Sequence, residues 1–155
     1  VQVARAVRLS RRIQEAVGDS SHEQALYEGV LQTLGDGAPF ASTTTAEGAA
    51  ILELEVRSYG LYVQDIGQPG VFTYKTRARI WGPSGERLYR KRLLCTSEIR
   101  ETLDTEDDQG PMNHVKELER LSDGEIEAIY AEMARSCGQQ LVHQMREDAG
   151  IESSL

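Results

Sequence analysis

Long apolar runs are absent from this chain of 155 residues, and nothing in it approaches the roughly 18 consecutive apolar residues that a membrane-spanning helix needs. Cysteine is scarce: Cys95 and Cys137 stand alone, without the second pair of a zinc site and without a Cys-x-x-Cys redox motif. They allow one disulfide or two buried thiols. The chain also lacks a Gly-rich phosphate loop, a Gly-x-Ser-x-Gly elbow and a His-Glu-x-x-His pair. Its three histidines, His22, His114 and His143, are dispersed and read as surface residues. His114-x-x-Glu117 and the pair Cys137 and His143 lack the further partners that a metal or a nucleophile requires. Asp123-Gly124-Glu125 offers carboxylates, but opening a helix and complementing its dipole accounts for them. We therefore expect no catalytic residues, no metal and no cofactor.

What is present is an ordinary globular composition, 39% hydrophobic and 27% charged, of a length suited to one domain with one core, residues 1–155. The net charge of −8 argues against nucleic acid as the partner of the whole domain. Its distribution says more. Val71 to Cys95 holds seven basic residues against Glu86 alone, whereas Thr96 to Glu127 holds eleven acids against Arg100, Lys116 and Arg120. A basic block runs straight into an acidic one.

Along the chain, Val3, Ala6, Ser10, Ile13 and Val17 follow a helical stripe, while Val1, Val3, Val7 and Leu9 partly alternate; a helix is expected from about Arg8, its start open. Ser20 and Glu23 have capping-box spacing, Leu26, Val30, Leu31 and Leu34 share a helical face, and Gly35 sits at the C-cap. Ala38 to Thr45 reads as a loop or short strand. Leu52, Leu54 and Val56 then alternate with Glu53, Glu55 and Arg57, the pattern of a half-buried strand, with Gly60 marking a bend or bulge. VFTYKTRARIW and ERLYRKRLLC flank the turn cluster Gly82-Pro83-Ser84-Gly85 and form a hairpin, with Phe72, Tyr74, Ala78 and Ile80 inward and Lys75, Arg77 and Arg79 outward. Residues 104–113 read as an exposed acidic loop. Ser122 to Glu125 is a second capping box, opening a helix with Ile126, Ile129, Tyr130, Met133, Cys137, Leu141 and Met145 on one face. The expectation is an α+β domain: an antiparallel or mixed sheet of about four strands with two or three helices on one face.

Two features carry functional content. The hairpin's outer face, with Lys75, Arg77, Arg79, Arg90 and Arg92, suits an acidic partner, phosphate or anionic headgroups; its plainer reading is a solvated face whose cations discourage edge-to-edge association. Cys95 at a strand end and Cys137 on the apolar face of the final helix meet if that helix crosses the sheet there, and a bond between them implies an oxidising compartment.

The segments LQTLGDGAPF, AAILELEVRSYGL, YKTRARIWGPSGERLYRK and EIEAIYAEMARSCGQQLVHQM, within residues 25–146, give a layout that resembles bacterial periplasmic lipoproteins. It is similar to the amino-terminal domain of the Tol–Pal propeller protein and to auxiliary lipoproteins of envelope lipid transporters. The resemblance implies a periplasmic accessory domain, tethered to the outer membrane upstream of Val1, which binds a protein partner in a cell-envelope assembly and carries no catalytic residues. The acidic stretch Asp104 to Asp108 and the start at Val1 to Leu9 depart from that layout. The alternative is a cytoplasmic domain that binds nucleic acid or another anionic ligand through the 71–95 hairpin. An exposed sheet edge is compatible with a homo-oligomer, although no heptad pattern supports a coiled coil.

Overall fold

The computed structural model describes residues 2–18, 21–35, 49–62, 71–98 and 119–150. In chain order the elements are α1 (Gln2–Gly18), α2 (His22–Leu34), β1 (Ile51–Tyr62), β2 (Val71–Trp81), β3 (Arg87–Glu98) and α3 (Asp123–Asp148). The strands form an antiparallel meander in the order β1-β2-β3, and the helices pack against one face. The class is α+β. The sheet among the described residues has three strands rather than about four, and the expected element at Ala38 to Thr45 lies outside those residues, as does the 104–113 loop.

Period-2 alternation builds the sheet. Phe72, Tyr74, Thr76 and Ala78 of β2 are buried on the helix side, and Leu52, Leu54 and Val56 of β1 join them. The β1 irregularity lies at Arg57, not at Gly60: Val56 pairs with Thr76 and Ser58 with Lys75, so Arg57 is the extra residue. That bulge turns odd-numbered Tyr59 and Leu61 inward where even-numbered residues had pointed in before it. The predicted β2–β3 turn is present. Gly82 donates to the Glu86 carbonyl at 2.7 Å, and Gly85 adopts φ 84°, a left-handed conformation that suits glycine.

α1 starts at Gln2, earlier than about Arg8, and buries Leu9, Ile13, Ala16 and Val17. Its Arg12 reaches the opening of α3, donating to Asp123 Oδ1 at 3.1 Å and to the carbonyls of Glu119 and Leu121. α2 begins without the expected capping box, because Ser21 is the N-cap and its side chain makes no cap bond. α3 has the full box: Ser122 Oγ accepts from the Glu125 amide, and Glu125 Oε1 accepts from the Ser122 amide, each at 3.1 Å.

α2 and α3 cross with glycine against backbone. A Cβ at Gly29 would fall on the Arg135 carbonyl, and one at Gly138 on the Leu26 carbonyl. Around this crossing Leu26, Val30, Leu34, Leu141 and Val142 are buried. Arg146 Nη2 then donates to the carbonyls of Thr33 and Leu34 at 3.0 and 3.3 Å, satisfying groups that the end of α2 leaves unpaired.

Candidate functional site

The sheet face opposite the helices, uncovered among the described residues, carries the expected site residues. Cross-strand register arranges them in rows: Glu53, Arg79 and Arg90 in one, Glu55, Arg77 and Arg92 in the next, and Ser58, Lys75 and Leu94 beside them. The five cations therefore occupy one surface, but they are not equivalent. Arg77 pairs with Glu55 and Arg79 with Glu53; Arg79 also lies 5.6 Å from the Trp81 ring centroid. Only 14% of the Arg77 side chain is accessible, and the Nε atoms of Arg77 and Arg79 are enclosed without an acceptor. These two arginines hold the sheet together more than they face solvent.

Arg87, Arg90, Arg92 and Lys75 are exposed, and among the described residues none has a carboxylate within ion-pair distance. Arg90 has Arg92, Arg87, Arg77 and Arg79 as like-charged neighbours. Arg92 first, then partial desolvation, then Arg87, Arg77 and Arg79 push its pKa below the usual guanidinium value. Leu88, the extra residue where β3 slips against β2, and Leu94 are exposed on the same strand, at 58% and 53%. At the β1 end, Ile51 is also exposed, opposite Trp81. The surface thus combines a charged centre with apolar flanks.

On the helix side, the bond between Cys95 and Cys137 is formed, with Cα atoms 5.8 Å apart. Both residues are buried, and the bond ties the middle of α3 to β3. Tyr89 donates to Asp148 Oδ2 at 2.6 Å and Lys91 Nζ lies 3.6 Å from the same carboxylate, so Lys91 belongs to the helix side and not to the exposed cation group. The Tyr89 bond and Lys91 hold the Asp148 carboxyl below its ordinary range, against an opposing contribution from burial.

One histidine is misplaced by sequence reasoning. His22 is buried, not on the surface; its Nδ1 lies 2.6 Å from Tyr74 Oη, and its ring meets those of Tyr59 and Tyr74 edge-on. Burial pushes its pKa below 6.5, with Glu23 opposing. Tyr130 completes the cluster by donating to the Gly60 carbonyl at 2.6 Å. Burial raises the pKa of both Tyr74 and Tyr130, so the phenols stay protonated and the cluster is a structural network of neutral rings. His143 is exposed, while His114 lies outside the described residues. Among the described residues no group of three His, Cys, Asp or Glu side chains is placed to hold a metal, and no helix is long and apolar enough to cross a membrane. Compared with known protein families, curated proteins and solved structures, the chain matches none.

Proposed function

We propose that this protein is a non-catalytic accessory domain of the bacterial cell envelope that docks an acidic protein partner on the uncovered face of its sheet. The observation that carries the reading is the arginine group on β3, which among the described residues is uncompensated: the acids of β1 are already engaged by β2, and Arg87, Arg90 and Arg92 are left with like-charged neighbours. Such a field costs stability in the isolated domain and is relieved by a partner of opposite sign. The apolar flanks Leu88, Leu94 and Ile51 supply area that excludes water around the charges. The disulfide supports an extracytoplasmic home, since such bonds persist where the surroundings are oxidising.

A photo-crosslinking amino acid at Leu88 or Leu94, in cells making the native protein, tests this reading. The expected result is one discrete protein adduct from these positions, none from exposed His143, and loss of the adduct in Arg90→Glu/Arg92→Glu. Adducts that survive charge reversal refute it. Tight binding of a labelled oligonucleotide that falls steeply with salt, and disappears with the same variant, replaces it with the anionic-ligand alternative.

A further inference from the structure

We propose that the open edge of β3 takes up an extended acidic segment of the partner as a fourth strand, with two carboxylates spaced two residues apart meeting Arg90 and Arg92. The inference rests on the partner-binding reading above and specifies how the partner is held.

Three observations converge on this edge. Among the described residues, β3 has a strand on one side only, so every second residue directs its N–H and C=O away from the sheet. Among the described residues two rows cross the sheet as acid, base, base and end there: Glu53, Arg79, Arg90 and Glu55, Arg77, Arg92. The pair Glu53 and Glu55 shows what neutralises an Arg pair two residues apart on this surface, because both carboxylates engage the arginines of the adjacent strand. The position next to β3 is the one other place from which carboxylates on a strand reach the same rows. Finally, a groove of about 500 Å³ runs between this edge and α3, lined by Cys95, Thr96, Ala128, Ile129, Met133 and Gln140 among others. An added strand alternates its side chains, so those beyond the carboxylates, alongside Leu93 and Cys95, lie on the groove side of the sheet, and they should be apolar.

The charge pattern also selects among occupants. A second copy of this chain paired edge to edge through β3 sets Arg90 and Arg92 against their own counterparts, like charge on like. The edge of β1 calls for no added cations, because Glu53 and Glu55 are already engaged. A strand covering residues 90–96 spans about 23 Å at roughly 3.3 Å per residue, enough to meet both arginines and the groove beside Cys95.

The probe is a labelled peptide of about ten residues alternating glutamate with valine, titrated into the full chain at low and moderate salt. Binding is expected, together with slowed amide exchange along β3. Arg90→Glu/Arg92→Glu should weaken it about tenfold or more, as expected for the loss of two exposed charge pairs. The same variant should instead take up a peptide alternating lysine with valine, which also reports that it has folded. Methylating alternate peptide nitrogens keeps every charge and removes the ladder, so it should abolish binding. If the methylated peptide binds equally well, strand addition fails while docking by charge stands. If binding ignores charge reversal, both readings fail. β3 edge amides already protected in the free protein, or a dimer in sedimentation, would mean that the edge is occupied by this chain's own residues or a second copy, and would overturn the proposal.

Discussion

Replacing Gly138 by alanine sets two effects of opposite sign against each other. In an unobstructed helix interior alanine is favoured over glycine by about 1 kcal/mol, so propensity alone predicts a stabler protein. At position 138 the added Cβ falls on the Leu26 carbonyl, lies 2.9 Å from the Val30 nitrogen and 3.2 Å from the Gly29 carbonyl carbon. All three are backbone atoms of α2, which cannot rotate away as a side chain tip does. α2 must retreat, which loosens Leu26 and Val30 against Leu141 and Val142; overpacking of this kind costs about 1–3 kcal/mol, occasionally more. Because the obstacle is backbone, the upper part of that range, about 2–3 kcal/mol, applies, and less the propensity gain of about 1 kcal/mol the net expectation for Gly138→Ala is destabilisation by about 1–2 kcal/mol. Gly124→Ala is the internal control, because its new Cβ would meet nothing nearer than Ser122 Oγ at 3.9 Å. That variant should be neutral or slightly stabilised. Urea unfolding followed by circular dichroism reads both, with the slope checked for constancy. A Gly138→Ala midpoint at or above wild type would refute the glycine crossing.

Opening the Cys95–Cys137 link by replacing both residues with alanine removes a loop constraint of 42 residues, worth about 4 kcal/mol in the chain-entropy description. Intact mass with and without reductant should differ by two hydrogen atoms, and two freely reactive thiols in the native protein would contradict the bond. Because the folded pKa of His22 lies below 6.5, the unfolded chain takes up this proton first: its contribution is complete above 6.5 and is lost as pH falls toward the folded value. Glu23 opposes the shift, and His22→Gln should flatten this part of a stability profile measured between about pH 7.5 and 5. An unchanged slope would refute the burial. Tyr130→Phe removes the buried phenol's bond to the Gly60 carbonyl, which keeps Thr73 Oγ1 at 3.2 Å, and should cost about 1 kcal/mol by the same urea assay, whereas Tyr27→Phe, at an exposed position, should cost nothing measurable.

Local patterns carried the fold. Alternation at Leu52, Leu54 and Val56, the turn at Gly82 to Gly85 and the capping box at Ser122 each depend on neighbours a few residues apart, and each is present. What escaped depends on register or on distant contacts. The hairpin face looked uniformly basic because Glu53 and Glu55, whose carboxylates neutralise Arg79 and Arg77, stand more than 20 residues earlier and align with them only once the β1–β2 register is set. The bulge at Arg57 has no signal of its own, and Gly60, the natural suspect, stays paired with Thr73. His22 opens a helix as a surface polar residue would, yet its surroundings come from Tyr59 and Tyr74. Arg12 and Arg146 carry no local sign of their contacts, yet they tie α1 to the opening of α3 and the end of α3 to the end of α2 across more than 100 positions. Within the site, the register divides the five expected cations into two structural and three available ones.

The α2–α3 crossing also bears on the order in which the molecule can assemble. The sheet is built from neighbouring segments joined by short-range pairing, but α2 finds its partner only after the whole meander and the segment beyond it have been made. A chain emerging from the ribosome therefore holds α2 and the apolar side of the strands uncovered until α3 arrives, a long-range closure of the kind that slows folding. Cys95 waits with them. Its partner does not exist until Cys137 has been synthesised, so the Cys95–Cys137 bond closes only once α3 is present to dock.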